Sequence, residues 1–169
     1  MSVALLLTLT TGTPALAPIH VGTLPCGSAT FRLLSRQWAD RKLAPLAPYG
    51  QSLSIERDGR RRALALDRTV LVVKDGFPVR NRYVLSWACL TNASRVHYVI
   101  LGYACAIDRG YPHDCGGERE WMRFLDDRGR AVDRDVPHDG PAADALMKRL
   151  GLFEQFTKGV QMSTALEAD

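Results

Sequence analysis

Residues 83–106 read YVLSWACLTNASRVHYVILGYACA, two strongly apolar runs parted by the polar stretch Thr91-Asn92-Ala93-Ser94-Arg95. Both read as long antiparallel strands. Alternation places Tyr83, Leu85, Trp87 and Cys89 on one face of the first strand. On the second strand Tyr98 and Ile100 share one face, and Val99, Leu101, Tyr103 and Cys105 share the other. Apolar side chains on both faces call for cover on both sides, so this pair belongs at the centre of a sheet.

The flanks extend that sheet. Upstream, Leu53 and Ile55 alternate with Ser52, Ser54 and Glu56, the pattern of a half-buried strand. Asp58-Gly59 then forms a hairpin, because glycine accepts the positive φ of a type I′ turn. Leu64 and Leu66 lie on the return. Thr69–Lys74 is nearly continuous in β-branched residues and ends at Asp75-Gly76, which predicts a second hairpin back into Val79–Leu90 and a meander overall. Earlier still, Ala29–Leu34 reads as a strand, and Leu34 and Trp38 stand one helical turn apart, which predicts a short helical segment over Ser35–Leu43. Pro45, Pro48 and Gly50 enforce a loop after it. Downstream, Glu120–Leu125 and Arg130–Val132 flank Asp126-Asp127-Arg128-Gly129 as a last hairpin. A C-terminal helix begins at Pro141 with Asp139 as its cap; Leu146, Leu150 and Phe153 recur at helical spacing, and the helical segment runs over about residues 141–158, with Gly151 interrupting or ending it. No local signal marks Val160–Asp169. The expected class is α+β, mainly an antiparallel meander.

Compartment follows from the N-terminus and the cysteines. No Asp, Glu, Lys or Arg occurs before Arg32, and the apolar run Val3–Leu9 leads to Ala15-Leu16-Ala17. That order matches a secretory leader over residues 1–17, with its apolar core and A-x-A-like cleavage site. No basic residue precedes the run and Pro18 follows the site, so a buried N-terminal strand, with Leu5, Leu7 and Leu9 alternating, is the competing reading. The run is too short to span a bilayer, which takes about 20 apolar residues. Residues 18–169 then form a β-rich domain. Its cysteines number four, an even count that fits two bridges in an oxidising compartment. Cys105 and Cys115 enclose an easily closed loop, which leaves Cys26 for Cys89. Each bridge contributes about 2–4 kcal/mol. The readings together place the protein in the periplasm or outside the cell. Its arginine excess, with lysine only at 42, 74, 148 and 158, is the mark of a GC-rich bacterial genome.

No motif names a reaction, a cofactor or a metal. His113 and His138 sit in an internal echo, Pro112-His113-Asp114 and Pro137-His138-Asp139. Histidine beside aspartate in sequence seldom points at it in space, and no Gly-x-Ser-x-Gly turn supplies a nucleophile. Cys105, His113 and Cys115 are zinc-binding types, yet their spacing fits no standard structural site. Glu118 and Glu120 would share a face if they lie on a strand, the minimum for paired-carboxylate hydrolysis. Asn92-Ala93-Ser94 is a glycosylation sequon, an ordinary turn in a bacterial protein. Arg57, Arg60, Arg61 and Arg62 gather at one hairpin tip. The net charge of +4 is small and no aromatic interleaves the arginines, which disfavours nucleic acid as the partner.

The favoured function is therefore a small exported binding protein that occludes another protein, such as a toxin or an envelope hydrolase, in the manner of inhibitors and immunity proteins. Its candidate partner-binding residues are Tyr111, His113, Asp114, Arg57, Arg60, Arg61 and Arg62. The alternatives are a small envelope-acting hydrolase using His113, His138 and nearby carboxylates, and a structural subunit of an envelope assembly.

Overall fold

The computed structural model describes residues 15–40, 45–117, 119–133, 136–137 and 140–166. Strands β1 (His20–Cys26), β2 (Ala29–Arg36), β3 (Gly50–Arg57) and β4 (Arg60–Leu64) form a four-stranded antiparallel sheet in chain order. A separate two-stranded ribbon follows, β5 (Leu71–Lys74) and β6 (Phe77–Arg80). Strands β7 (Arg82–Thr91), β8 (His97–Cys105), β9 (Glu120–Asp126), β10 (Val136–Pro137) and β11 (Ser163–Thr164) form the second sheet in the order β10-β9-β8-β7-β11. Helices α1 (Pro141–Leu150) and α2 (Phe153–Thr157) lie between β10 and β11 in the chain.

The expected central pair is β7 and β8, and both of its faces are covered. On one face Val84, Trp87, Val99, Leu101, Tyr103, Trp121 and Leu125 pack against Phe31, Leu33, Leu53, Ile55 and Leu64 of the first sheet. On the other, Ile100, Met122 and Phe124 pack against Ala143, Leu146, Met147 and Leu150 of α1. A third cluster seats the ribbon: Val79, Val72 and Phe77 meet Trp38, Tyr83 and Ala104. Tyr98/Ile100 and Val99/Leu101/Tyr103 divide between the faces as alternation predicts. The grouping of Tyr83 and Leu85 with Trp87 and Cys89 does not hold. The register passes from Val84↔Tyr103 to Ser86↔Gly102, so Leu85 is the extra residue of a bulge. A bulge reverses the alternation, which sends Val84 to the face of Trp87 and Cys89, while Tyr83 and Leu85 turn toward the ribbon.

Both hairpin turns form as expected, with positive φ at Asp58 and Gly59 and at Asp75 and Gly76. The second does not lead into one long strand. Its return strand β6 ends at Arg80, so a ribbon and two sheets replace the single meander. The short helix expected over Ser35–Leu43 is not seen in its described part. Ser35 and Arg36 extend β2 and pair with Gln51 and Gly50, and Trp38 bridges to Leu16. Long-range pairing overrides the helical spacing of Leu34 and Trp38, and the Trp38 indole N–H donates to the Pro78 carbonyl at 3.0 Å. Residues 41–43 of that segment lie outside the described residues, as do 1–14 of the expected leader and Asp139, the expected cap; the N-cap position of α1 is Gly140. Ala15 and Ala17 bond through their main chain to Ala39 and Gln37. β1 had no counterpart in the sequence reading. The C-terminal tail, silent in sequence, supplies β11 and the fully buried Ala165 and Leu166. α1 starts at Pro141 and ends at Gly151.

The two bridges are Cys26–Cys89 and Cys105–Cys115, as expected. The first ties β1 to β7, and so one sheet to the other, across a sequence separation of 63. In the chain-entropy account it restrains the unfolded state by about 4 kcal/mol, and the shorter loop by about 3 kcal/mol. Replacing Cys26 and Cys89 together by alanine is expected to lower stability by about 4 kcal/mol in urea unfolding, more than the same change at Cys105 and Cys115. Equal losses, or a larger loss at the shorter loop, would contradict that assignment of the main staple.

Candidate functional site

The loop between β8 and β9 is pinned at its neck by Cys105–Cys115, whose Cα atoms are 6.0 Å apart. Inside it, the Asp114 carboxylate accepts from the Gly110 N–H through Oδ2 at 2.9 Å and from the Gly116 N–H through Oδ1 at 3.2 Å. The Tyr111 N–H donates to the Asp108 carbonyl and the Asp114 N–H to the Tyr111 carbonyl. The Gly110 bond first, then the Gly116 bond, holds the Asp114 carboxyl below the usual carboxylate range. Asp108 is lowered likewise, by its hydrogen bond from Arg119 at 2.6 Å and then by the charge of Lys74. The loop is thus a set shape that presents the Tyr111 ring, 67% exposed, to solvent.

Facing this loop is β5. Between them lies a cleft of about 550 Å³, walled by Leu71–Asp75 on one side and by Ala106–Asp108 and Tyr111–His113 on the other. Lys74 Nζ crosses from β5 to donate to the Ala106 carbonyl at 2.6 Å. Buried Asn81 joins the two walls: its Oδ1 accepts from the Val70 N–H at 2.9 Å, and its Nδ2 donates to the His113 carbonyl at 3.0 Å. Val73, at 72% exposure, and Leu71 stand outward on β5. The pairing of the ribbon leaves this strand with an open edge. Asn81 N–H bonds the Val70 carbonyl, so in antiparallel alternation Val72 and Lys74 are the hydrogen-bonded positions, and Leu71 and Val73 are not. The N–H and C=O groups of Leu71 and Val73 point away from β6 and have no partner among the described residues. Pro78, which lacks an N–H, sits opposite Val73 as that geometry permits.

His113 lines the cleft, but no carboxylate lies within salt-bridge distance of its ring among the described residues. Its neighbour Asp114 is turned to the loop amides, so the pair His113-Asp114 is turn chemistry. His138 and Glu118 lie outside the described residues. Cys105 and Cys115 are bridged and present no thiolate, and no group of three potential metal ligands occurs among the described residues.

The arginine tip divides. Arg57 pairs with Arg60 and Ile55 with Arg62 across β3 and β4, which puts these side chains on one face. Arg61 is on the other, 3.1 Å from Glu56. The tip lies by the Asp126–Gly129 turn at one end of β9, and the stapled loop enters the other end, about 20 Å away for a strand of this length. The two sets of candidate residues therefore do not form one site.

Several residues of consequence were not singled out from sequence. Leu71 and Val73 read as part of a nearly continuous β-branched run, and nothing local marks that run as an open edge. Asn81 carries no motif. Asp67 is a further case: its carboxylate accepts from Arg123 Nε and Nη2 at 3.0 and 3.3 Å and from the Trp121 indole at 3.0 Å. Its N–H donates to the Tyr103 hydroxyl, and burial pushes the Tyr103 phenol well above its usual range. This cluster fastens the β4–β5 connection to the second sheet. No family model, curated protein or solved structure matches the chain.

The Asp114 assignment has a pH signature. Its folded pKa is depressed, so the loop bonds are fully present above the ordinary value of 3.8 and are lost as pH falls through the folded value. The amide resonances of Gly110 and Gly116 are expected to titrate together with a midpoint below 3.8, and Asp114→Asn to abolish that transition. A midpoint at or above the ordinary value would contradict the arrangement.

Proposed function

We propose that this chain is an exported, disulfide-stapled binding protein that occludes a partner protein, in the manner of inhibitors and immunity proteins. An extended segment of the partner occupies the cleft between β5 and the stapled loop. The observation that carries this reading is the open edge of β5 beside an exposed tyrosine on a fixed loop. Two N–H and two C=O groups, at Leu71 and Val73, point away from β6 on the strand that lines the cleft, in the spacing that another extended main chain satisfies. Their side chains offer apolar contacts at alternate positions, and Tyr111 stands on the opposite wall as an aromatic anchor. Export rests on the leader-like N-terminus and is supported by the two bridges. Among the described residues, no helix is long and apolar enough to cross a membrane. The hydrolase alternative needs His113 against a carboxylate, and no observation favours it.

The test uses oxidised protein as bait against the culture medium and envelope fraction of the source organism. Wild type is expected to recover a specific partner, and Tyr111→Ala to weaken that complex by about 30-fold, as hot-spot aromatics do. Val73→Pro removes an N–H that the ribbon does not use, so it is expected to leave thermal stability nearly unchanged and still abolish capture. A partner retained equally by all three proteins contradicts the reading, as does no recovery at concentrations where micromolar complexes survive. Self-association that Val73→Pro abolishes would replace the partner by a second copy of this chain.

A further inference from the structure

The face of the β3–β4 hairpin that carries Arg57, Arg60 and Arg62 does not stand alone. The Asp126–Gly129 turn after β9 is locked against it: Arg57 Nη1 lies 3.3 Å from Asp127 Oδ2, and Arg62 Nη2 donates to the Arg128 carbonyl at 2.6 Å. The fit is close, since a Cβ built on Gly129 would fall 2.8 Å from the Leu64 methyls, and Gly129 has a positive φ that side chains disfavour. The two sheets thereby bring a fourth arginine, Arg128, to the hairpin tip. A groove of about 610 Å³ opens there, lined by Ile55, Arg57, Asp58, Arg60, Arg62 and Arg128.

Its charge is not balanced from within. Asp127 and Asp58 both lie against Arg57, at 3.3 and 3.8 Å. Asp126, the other carboxylate of the turn, is engaged by the Arg128 and Arg130 N–H groups and by Arg130 Nε. These bonds outweigh its burial and keep its carboxyl below the usual range. Glu56 is on the far face with Arg61. The guanidinium groups of Arg60 and Arg128 have no hydrogen-bond or ion-pair partner among the described residues. Arg62 uses its contact on a neutral carbonyl.

We propose that this groove binds a phosphoryl-bearing ligand with at least two negative charges, of the diphosphate class. Guanidinium forks match phosphoryl oxygens, which radiate in several directions and accept from several arginines at once; a lone carboxylate meets one fork edge-on. Four arginines against the two carboxylates Asp58 and Asp127 leave a net local positive charge, which favours a multiply charged anion over a monovalent one. The volume lies in the range of small-molecule sites, about 300–1,000 Å³, and Ile55 adds an apolar contact beside the charged rim. No aromatic side chain lines the groove, so nucleic-acid bases find no stacking platform. The ligand source is a soluble phosphorylated compound or a phosphorylated lipid headgroup. This site stands apart from the β5 cleft, at the other end of β9, and does not depend on the partner-binding reading.

The probe is inorganic pyrophosphate, titrated calorimetrically into the oxidised protein at low ionic strength. One site is expected. Arg60→Ala and Arg128→Ala remove guanidinium groups with no hydrogen-bond or ion-pair partner among the described residues, so both variants are expected to melt like wild type and to bind at least about tenfold more weakly. Arg61→Ala removes the same charge from the opposite face and is expected to stay within about twofold, because screened surface charge contributes little. No binding by wild type overturns the proposal. So does an Arg61→Ala loss as large as that of Arg128→Ala, which would reduce the effect to net charge. Phosphatidylcholine vesicles with phosphatidic acid as the sole anionic lipid separate the sources. Retention displaced by pyrophosphate identifies a headgroup, while pyrophosphate binding without retention identifies a soluble ligand; both uphold the site.

Discussion

Asn81 sits where the chain leaves the ribbon and enters the second sheet, and its buried amide holds three segments together. Its Oδ1 accepts from the Thr69 hydroxyl and the Val70 N–H, and its Nδ2 donates to the His113 carbonyl. Its own N–H bonds the Val70 carbonyl, and its carbonyl accepts from the Ala106 N–H. One residue thus fixes the start of β5 and the loop's far wall through its side chain, and the stem of the stapled loop through its main chain. A buried amide with its partners satisfied rigidifies what it joins, whereas each partner left unsatisfied costs about 1–3 kcal/mol. The ribbon is too small to be stable by itself, since an isolated hairpin is marginal at best. Its position comes from this node and from the apolar cluster of Val72, Phe77 and Val79 with Trp38.

The larger frame makes such a node possible. β8 is central in a sheet buried on both faces, and the Cys26–Cys89 bridge joins that sheet to its neighbour. The bulge at Leu85 matters for the cleft as well as for the core. By reversing the alternation it gives Trp87 and Cys89 to the inter-sheet core and leaves Tyr83 and Leu85 for the ribbon cluster. The same frame places the stapled loop and the arginine groove at opposite ends of β9, so two surfaces with different chemistry share one scaffold.

The central strands, both glycine hairpin turns, the C-terminal helix and the bridges were legible from the sequence, because each rests on a short-range signal. Period-two apolarity, Asp-Gly pairs, Pro141 and cysteine arithmetic all act within a few residues or by elimination. What was not legible depends on distant pairing. Trp38 follows Leu34 at helical spacing, yet β3 and Leu16 recruit that stretch into extended structure. Leu85 carries no mark of a bulge, and β11 is two polar residues whose strand character comes only from the edge of β7. For the candidate sites, Tyr111 and the arginines stood out by type. Leu71, Val73, Asn81 and Arg128 acquire meaning only once the ribbon, the loop and the two turns are adjacent in space. Asn92 shows the reverse: a sequon in sequence, it is a structural tie, donating to the Leu150 carbonyl at the end of α1.

The central claim is that the Asn81 amide holds the two walls of the β5 cleft as one unit, separately from the two packed sheets. Hydrogen–deuterium exchange of Asn81→Ala tests it most directly. The account predicts that the amides of Val70, Val72 and Lys74 and those of Ala106, Gly110, Tyr111 and Asp114 lose protection together, while His97–Tyr103 of β8 keeps the wild-type rate. Unchanged protection at both walls, or a loss that spreads equally through β7, β8 and β9, would contradict it.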